Sequence, residues 1–340
     1  MSSADLQPLH EHLRRHARER GSQPAVHWYG ASLSWAELDR FSDAFAAHLQ
    51  QLGVGKGEPV VLFLNNCPQY LVAHYGIQKI GAIVCPSGPL NKEHELAYQV
   101  GDLQARVIVA AADLLPVVEQ VRPDSTLEHV LVVHYADLLP DEPSLPVPPE
   151  LLEACAAGRV LPGHCEDFEA VMRAGAQPQP VPLTLDDVAL MTYTSGTTGL
   201  PKGAMLSYGN ALFKSQVTAD SAGLESDHVA LSVAPLYHIA GMLMGVNVPV
   251  LRGATQVAVL QAIDRYRVTH WYSIAPMNLA CMQVPDAERL NLSSLQHNPV
   301  TSFGITFTQA LAEQWQAFTQ GPCISYEAAY GLSETHTMDT

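Results

Sequence analysis

The chain has 340 residues, 47% apolar and 15% charged, with a formal net charge of −16. That length and composition suit a compact globular protein of two or three packed lobes and exclude a disordered chain. The negative charge disfavours nucleic acid and anionic lipid surfaces as partners, so an anionic ligand must be captured by local donors.

Six cysteines, Cys67, Cys85, Cys155, Cys165, Cys281 and Cys323, stand without a CxxC pair, the pattern of reduced thiols in a cytoplasmic protein. The N-terminal stretch carries Asp5, Glu11, Arg14, Arg15, Arg18 and Arg20 and no apolar core segment, which excludes a secretory signal. His12 and His16 share one helix face there and are expected to be solvated. His10-Glu11-His12-Leu13-Arg14 and His94-Glu95-Leu96-Ala97-Tyr98 each lack the final His of an HExxH zinc site.

In chain order, residues 25–34 read as a hairpin and 35–52 as an amphipathic helix. Gly53-Val54-Gly55-Lys56-Gly57 precedes a strand where a dinucleotide fingerprint would follow one, so it reads as a helix C-cap and turn. Strands 60–64, 82–86, 106–110 and 129–135 then alternate with helices 68–80, 92–104 and 112–121. Such alternation implies a first β/α lobe, about 25–135, built on a largely parallel, doubly wound sheet. Residues 136–182 are rich in proline, with short helical stretches near Leu151 and Phe168, and read as an excursion between lobes. A second β/α lobe, 183–340, follows: helix 208–220, strand 229–233, helix 239–250, strand 255–260, helix 261–267, strand 269–274, a helix from Pro276, a strand near 300–304, helix 308–319 and strand 323–328. The uncharged stretch from Val229 to Leu251 is long enough to span a membrane. Pro235, His238, Asn247 and Pro249 within it mark instead a strand, a turn and a buried helix, so no transmembrane segment is expected.

The chain is organised around Thr192-Tyr193-Thr194-Ser195-Gly196-Thr197-Thr198-Gly199-Leu200-Pro201-Lys202-Gly203, directly after the apolar run Val188-Ala189-Leu190-Met191. Glycines admit close approach of backbone N–H groups to an anion, the hydroxyls add donors and Lys202 adds positive charge. Pro201 stands where the Walker pattern needs glycine, and Gly203 where it needs Ser or Thr. Ser195 is flanked at two positions by Tyr193 and Thr197, which excludes a serine-hydrolase elbow.

This run resembles the phosphate-binding signature of the adenylate-forming enzymes, the family of acyl-CoA synthetases, luciferases and peptide-synthetase adenylation domains. Ala329-Tyr330-Gly331-Leu332-Ser333-Glu334 is similar to the family's Tyr-Gly-x-Thr-Glu element, with serine in the threonine position. Ala234-Pro235-Leu236-Tyr237-His238-Ile239-Ala240-Gly241-Met242 is similar to the aromatic-His element of its carboxylate pocket. The resemblance covers about residue 25 to the end and implies the N-terminal region of an acyl-CoA synthetase: an α/β fold of two doubly wound lobes plus a hairpin-containing sheet. It implies ATP, Mg²⁺ and coenzyme A as co-substrates and cofactor, and a small carboxylic acid as the activated group. By the same resemblance, Thr194, Ser195, Gly196, Thr197, Thr198, Gly199, Lys202, Tyr330, Gly331 and Ser333 bind ATP, with Tyr330 on adenine and Ser333 on the α-phosphate. Lys202 and Glu334 serve catalysis, and Thr194 and Glu334 organise Mg²⁺. Tyr237, His238, Gly241 and Met242 line the acid pocket.

Amino-acid-activating relatives carry an aspartate at the position of His238, so an acid without an amine is expected, and the apolar run from Ile239 to Gly245 suits a fatty acid. Two other readings stand beside this one: a non-catalytic nucleotide-binding remnant, and an adenylation module for an aryl or amino acid. The reading allows a homodimer. The chain departs from the family at Phe303-Gly304-Ile305-Thr306, where a Gly-Gly-Ala or Gly-Glu-Ala turn usually meets the purine. The family's ribose-binding aspartate, its hinge and the small C-terminal lobe with its lysine would lie beyond Thr340. On that basis the 340 residues are expected to bind ATP while adenylating weakly.

Overall fold

The computed structural model describes residues 6–337 except 157, 158, 160, 195–198, 254, 258–260, 286 and 328–330. In chain order its strands are β1 Pro24–Trp28, β2 Ala31–Ser34, β3 Pro59–Phe63, β4 Ile83–Pro86, β5 Val107–Ala111, β6 His129–Val133, β7 Cys165–Asp167, β8 Val188–Tyr193, β9 Gly203–Ser207, β10 Val229–Leu231, β11 Thr255–Val257, β12 His270–Trp271, β13 Ser273–Ile274, β14 His297–Thr301 and β15 Ile324–Glu327. One sheet runs β7-β6-β5-β3-β4-β8-β9; the other runs β13-β14-β12-β10-β11-β1-β2, with β15 also on β14. All pairs are parallel except the hairpins β1–β2 and β8–β9.

The central strands are continuous apolar runs because both sheet faces are covered. All five residues of β5 are buried, and Val60 of β3 stands between Val84 of β4 and Val107 of β5. Helices Glu93–Leu103 and Leu115–Val121 supply the apolar side chains over one face of this sheet. Ala275–Met282 and Gln309–Thr319 contribute to a smaller cluster against β14.

The main core joins the two sheets, with Leu62, Val107 and Leu190 in the same cluster as Val26, Leu231 and Trp271. Helix Pro68–Lys79 lies in this core and is buried at every residue. Its Lys79 ammonium meets Asp39 Oδ1 at 2.6 Å and Asp43 Oδ1 at 2.7 Å, the pairing a buried cation requires. Helix Trp35–Gln51 packs beside it and starts at a capping box, in which Ser34 N donates to Glu37 Oε2 at 2.9 Å and Glu37 N donates to Ser34 Oγ at 3.3 Å. Val229 to Leu251 forms β10, a loop and a helix of three consecutive segments, Ile239–Met242, the π-helical Leu243–Asn247 and Val248–Arg252. Among the described residues no helix is long and apolar enough to cross a membrane.

Three expectations change. First, the sheets do not follow the division at residues 135 and 183: β8 and β9 extend the first sheet, while β1 and β2 join the second through β11. The excursion 136–182 likewise adds β7 to the first sheet through β6. Second, β9 stands between the motif loop and helix Tyr208–Ala222; it pairs antiparallel with β8, a local hairpin that parallel β/α alternation does not foresee. Third, His12 and His16 are buried, at 2% and 5% exposure. Helix Leu9–Arg20 lays this face on the core: His16 Nε2 is 3.0 Å from the Val250 carbonyl, and its ring is 5.0 Å from that of Trp35.

Candidate active site

A cleft of about 430 Å³ opens where the carboxyl ends of β4 and β8 face the segment after β10 and the turn after β15. Thr194, Tyr237, His238 and Ser333, drawn from all three sequence elements, line it together. Ligands of parallel α/β sheets bind in such crevices beyond the strand ends.

The loop that begins at Thr194 is the connection of the β8–β9 hairpin. Tyr193 pairs with Gly203, and one step inward Thr194 N donates to the Lys202 carbonyl at 3.0 Å. At Gly203 a Cβ would lie 2.8 Å from the Met191 sulfur across the hairpin, so a side chain there would have to displace that thioether. At Gly199 a Cβ would meet no described atom within 4 Å, so the backbone is open on that side. Lys202 is exposed. Ser195, Gly196, Thr197, Thr198 and Tyr330 lie outside the described residues. Thr192 also faces the cleft; its Oγ1 is buried and has no hydrogen-bond partner among the described residues, which marks it as a candidate donor that the sequence reading did not assign.

Helix Glu93–Leu103 braces this loop. The Tyr98 hydroxyl donates to the Pro201 carbonyl at 2.7 Å, and the Tyr98 and Tyr193 rings meet edge to face at 6.3 Å. Tyr193 donates to Asp102 Oδ2 at 2.5 Å; burial first, then this carboxylate, push its phenol well above the usual tyrosine range. Gln99 Nε2 donates to the Pro86 carbonyl at 2.8 Å and so fixes the end of β4.

On the opposite wall His238 is the N-cap of Ile239–Met242, and its Nδ1 accepts from Ala240 N at 3.3 Å. The surrounding protein holds its pKa below the usual histidine range by desolvation, so the ring is neutral at pH 7. Asn66 clamps the loop before it: Nδ2 donates to the Ala234 carbonyl at 2.9 Å and Oδ1 accepts from Leu236 N at 2.8 Å. Tyr237 packs on Gly88, where a Cβ would stand 3.3 Å from its ring. Gly241 and Met242, expected in the pocket, are buried and absent from the cleft lining. A Cβ at Gly241 would fall 2.0 Å from the Pro235 carbonyl oxygen, so this glycine serves the packing of its own turn.

The turn Ser333–Thr335 packs on β9. Ser333 reaches the cleft, and Gly331 and Glu334 are exposed. The Glu334 carboxylate and the Lys202 ammonium have no side-chain hydrogen bond or ion pair among the described residues, so both charges are available to a ligand. Phe303 and Ile305 are 68% and 43% exposed on either side of Gly304, whose φ of +71° favours glycine. Asn66, Gly88, Tyr98 and Gln99 escaped the sequence reading. The turn cluster Pro86-Ser87-Gly88-Pro89 after an apolar strand was the available signal for Gly88, because in such sheets that is where ligands bind.

Two largely parallel sheets bring these elements to one cleft, a fold shared with solved acid–CoA ligases. A model of the AMP-binding enzyme family matches residues 13–340, and the chain belongs to that family. It is 26% identical to a long-chain-fatty-acid–CoA ligase of Bacillus subtilis (strain 168), over 91% of this chain and 57% of the relative. With a feruloyl-CoA synthase of Amycolatopsis sp it shares 31% identity over 83% of this chain and 52% of that relative. The chain thus spans little more than half the length of these relatives. An anthranilate CoA ligase solved in complex with anthranoyl-AMP superposes with a TM-score of 0.82 at 22% identity, covering 99% of this chain and 62% of that one, a likeness of fold.

Proposed function

We propose that this chain forms the nucleotide- and acid-binding part of an acid–CoA ligase. A carboxylate oxygen attacks the α-phosphorus of ATP, the bond to the β-phosphate breaks and pyrophosphate leaves with the electron pair. The CoA sulfur, having given up its proton, then attacks the acyl carbon, and AMP departs. The supporting observation is the meeting of Thr194, Tyr237, His238 and Ser333 at one cleft. The loop Thr194 to Lys202 is suited to the β- and γ-phosphates, where its donors offset charge that grows on the leaving pyrophosphate. Ser333 is suited to the α-phosphate and Tyr330 to adenine. The oxygen donors Glu334 and Thr194 are of the hard type that Mg²⁺ selects, and Mg²⁺ when bound would neutralise phosphate charge.

The acid carries no ammonium group on this reading, since His238 is neutral and Glu95, a carboxylate of the cleft lining, already accepts from Lys92 N at 3.0 Å. A fatty acid is the first reading, in keeping with the relatives that are fatty-acid ligases. An aryl acid is the second. It is favoured by the aromatic lining of Tyr98, Tyr193 and Tyr237, by the burial of Gly241 and Met242, and by relatives that are feruloyl- and 4-coumarate–CoA ligases. Thermal unfolding with a panel of acids tests this, because a ligand at a hundred times its Kd adds about 2.7 kcal/mol. Fatty or aryl acids should raise the midpoint. Selective stabilisation by free amino acids would overturn the reading.

A further inference from the structure

Of the described residues 331–337, His336 is the one that is buried, at 1% exposure. The preceding turn closes with Thr335 N and Thr337 N both donating to the Leu332 carbonyl, at 3.2 and 2.8 Å, and His336 takes a φ of +63°. This left-handed backbone is uncommon for a residue with a side chain, and here it accompanies an imidazole turned away from solvent. His336 Nε2 lies 3.4 Å from Asn247 Nδ2. Asn247 is 1% exposed and ends the π-helical turn Leu243–Asn247, in the helix that His238 caps. Behind it His74 and Gln78, 0% and 2% exposed, pair through their Nε2 atoms at 3.1 Å.

Stability alone does not call for this cluster. Asn247 Oδ1, His336 Nδ1, His74 Nδ1 and Gln78 Oε1 have no hydrogen-bond partner among the described residues, and an apolar filling of the same volume would avoid that penalty. Buried polar groups that are poor for stability are best attested as devices that fix register between elements, and π-helical turns occur often at functional sites. The elements joined here are the Ser333–Thr335 turn and the helix behind His238.

We infer that His336 is a positioning residue: seated on Asn247, it sets the Ser333–Glu334 turn against the His238 helix, so that one buried contact aligns the nucleotide and acid sides of the cleft. The inference rests on the reading of Ser333 and Glu334 as nucleotide ligands. It is tested in the whole chain with wild type, His336→Ala, His336→Gln, Glu334→Ala and the His336→Ala/Glu334→Ala double variant, by amide hydrogen exchange without ligand and by Mg·ATP titration. In His336→Ala the amides of Thr335 and Thr337 should exchange about tenfold faster or more, with helix Pro68–Lys79 unchanged. Mg·ATP affinity should fall about tenfold, the double variant should bind no more than about twofold more weakly than Glu334→Ala, and His336→Gln should recover part of the loss. Unchanged exchange at the turn, or losses that multiply in the double variant, would overturn the inference. If wild type fails to bind Mg·ATP, the nucleotide reading falls, while the exchange measurement still decides whether His336 holds the turn.

Discussion

Tyr98 donates its hydroxyl to the carbonyl of Pro201 at 2.7 Å, a bond that spans 103 positions of sequence and ties the motif loop to helix Glu93–Leu103. Pro201 stands one residue before Lys202, so the bond limits where the ammonium can go. Tyr98→Phe keeps the ring and removes the bond, worth about 0.5 to 1.5 kcal/mol. The expected outcome is Mg·ATP affinity about three- to tenfold weaker with little change in the unfolding midpoint. Unaltered affinity would show that the loop needs no brace.

Asn66 holds the opposite wall through the Ala234 carbonyl and the Leu236 amide. Asn66→Ala leaves both backbone groups short of their partner at a half-buried site, a loss of about 2 kcal/mol. Urea unfolding measures it, and acid binding near His238 should weaken in parallel. A fully stable variant with normal acid binding would contradict the clamp.

The buried histidines set an acid limit. His10 and His74 are held at about 3, chiefly by burial, with Arg14, Lys79 and His12 adding to the effect on His10 and His336 to that on His74. An unfolded histidine titrates near 6.5, so below that pH the unfolded chain takes up protons that the folded chain refuses until about pH 3. Their contribution is complete above pH 6.5 and is lost as pH falls from there toward 3, by up to about 1.4 kcal/mol per pH unit for each. The urea midpoint should therefore drop between pH 7 and pH 5. A flat midpoint across that interval would mean that these rings are not buried neutral.

Much of the fold was legible because it rests on local pattern. Apolar runs such as Val107-Ile108-Val109 in β5 and the Ser34/Glu37 capping box announce their elements within a few residues. What escaped depends on distant partners. β9, where the sequence pattern assigns no element, is a strand only because β8 lies beside it. His10, His12 and His16 sit in a strongly charged helix that reads as solvated, yet Tyr208 and Trp35 cover this face, with ring contacts at 5.6 Å to His10 and 5.0 Å to His16. The same holds at the cleft. Thr194, His238 and Ser333 lie in runs of distinctive composition, whereas Asn66 and Tyr98 are ordinary residues whose roles come from carbonyls more than 100 positions away.

Equilibrium titration of Mg·ATP against wild type, Lys202→Ala and Glu334→Ala tests most directly whether the three elements form one nucleotide site. Each variant removes a charge that has no side-chain partner among the described residues, so each should bind about ten- to a hundredfold more weakly than wild type. Wild-type affinity in both variants, with wild type itself binding, would place the nucleotide elsewhere and contradict the account.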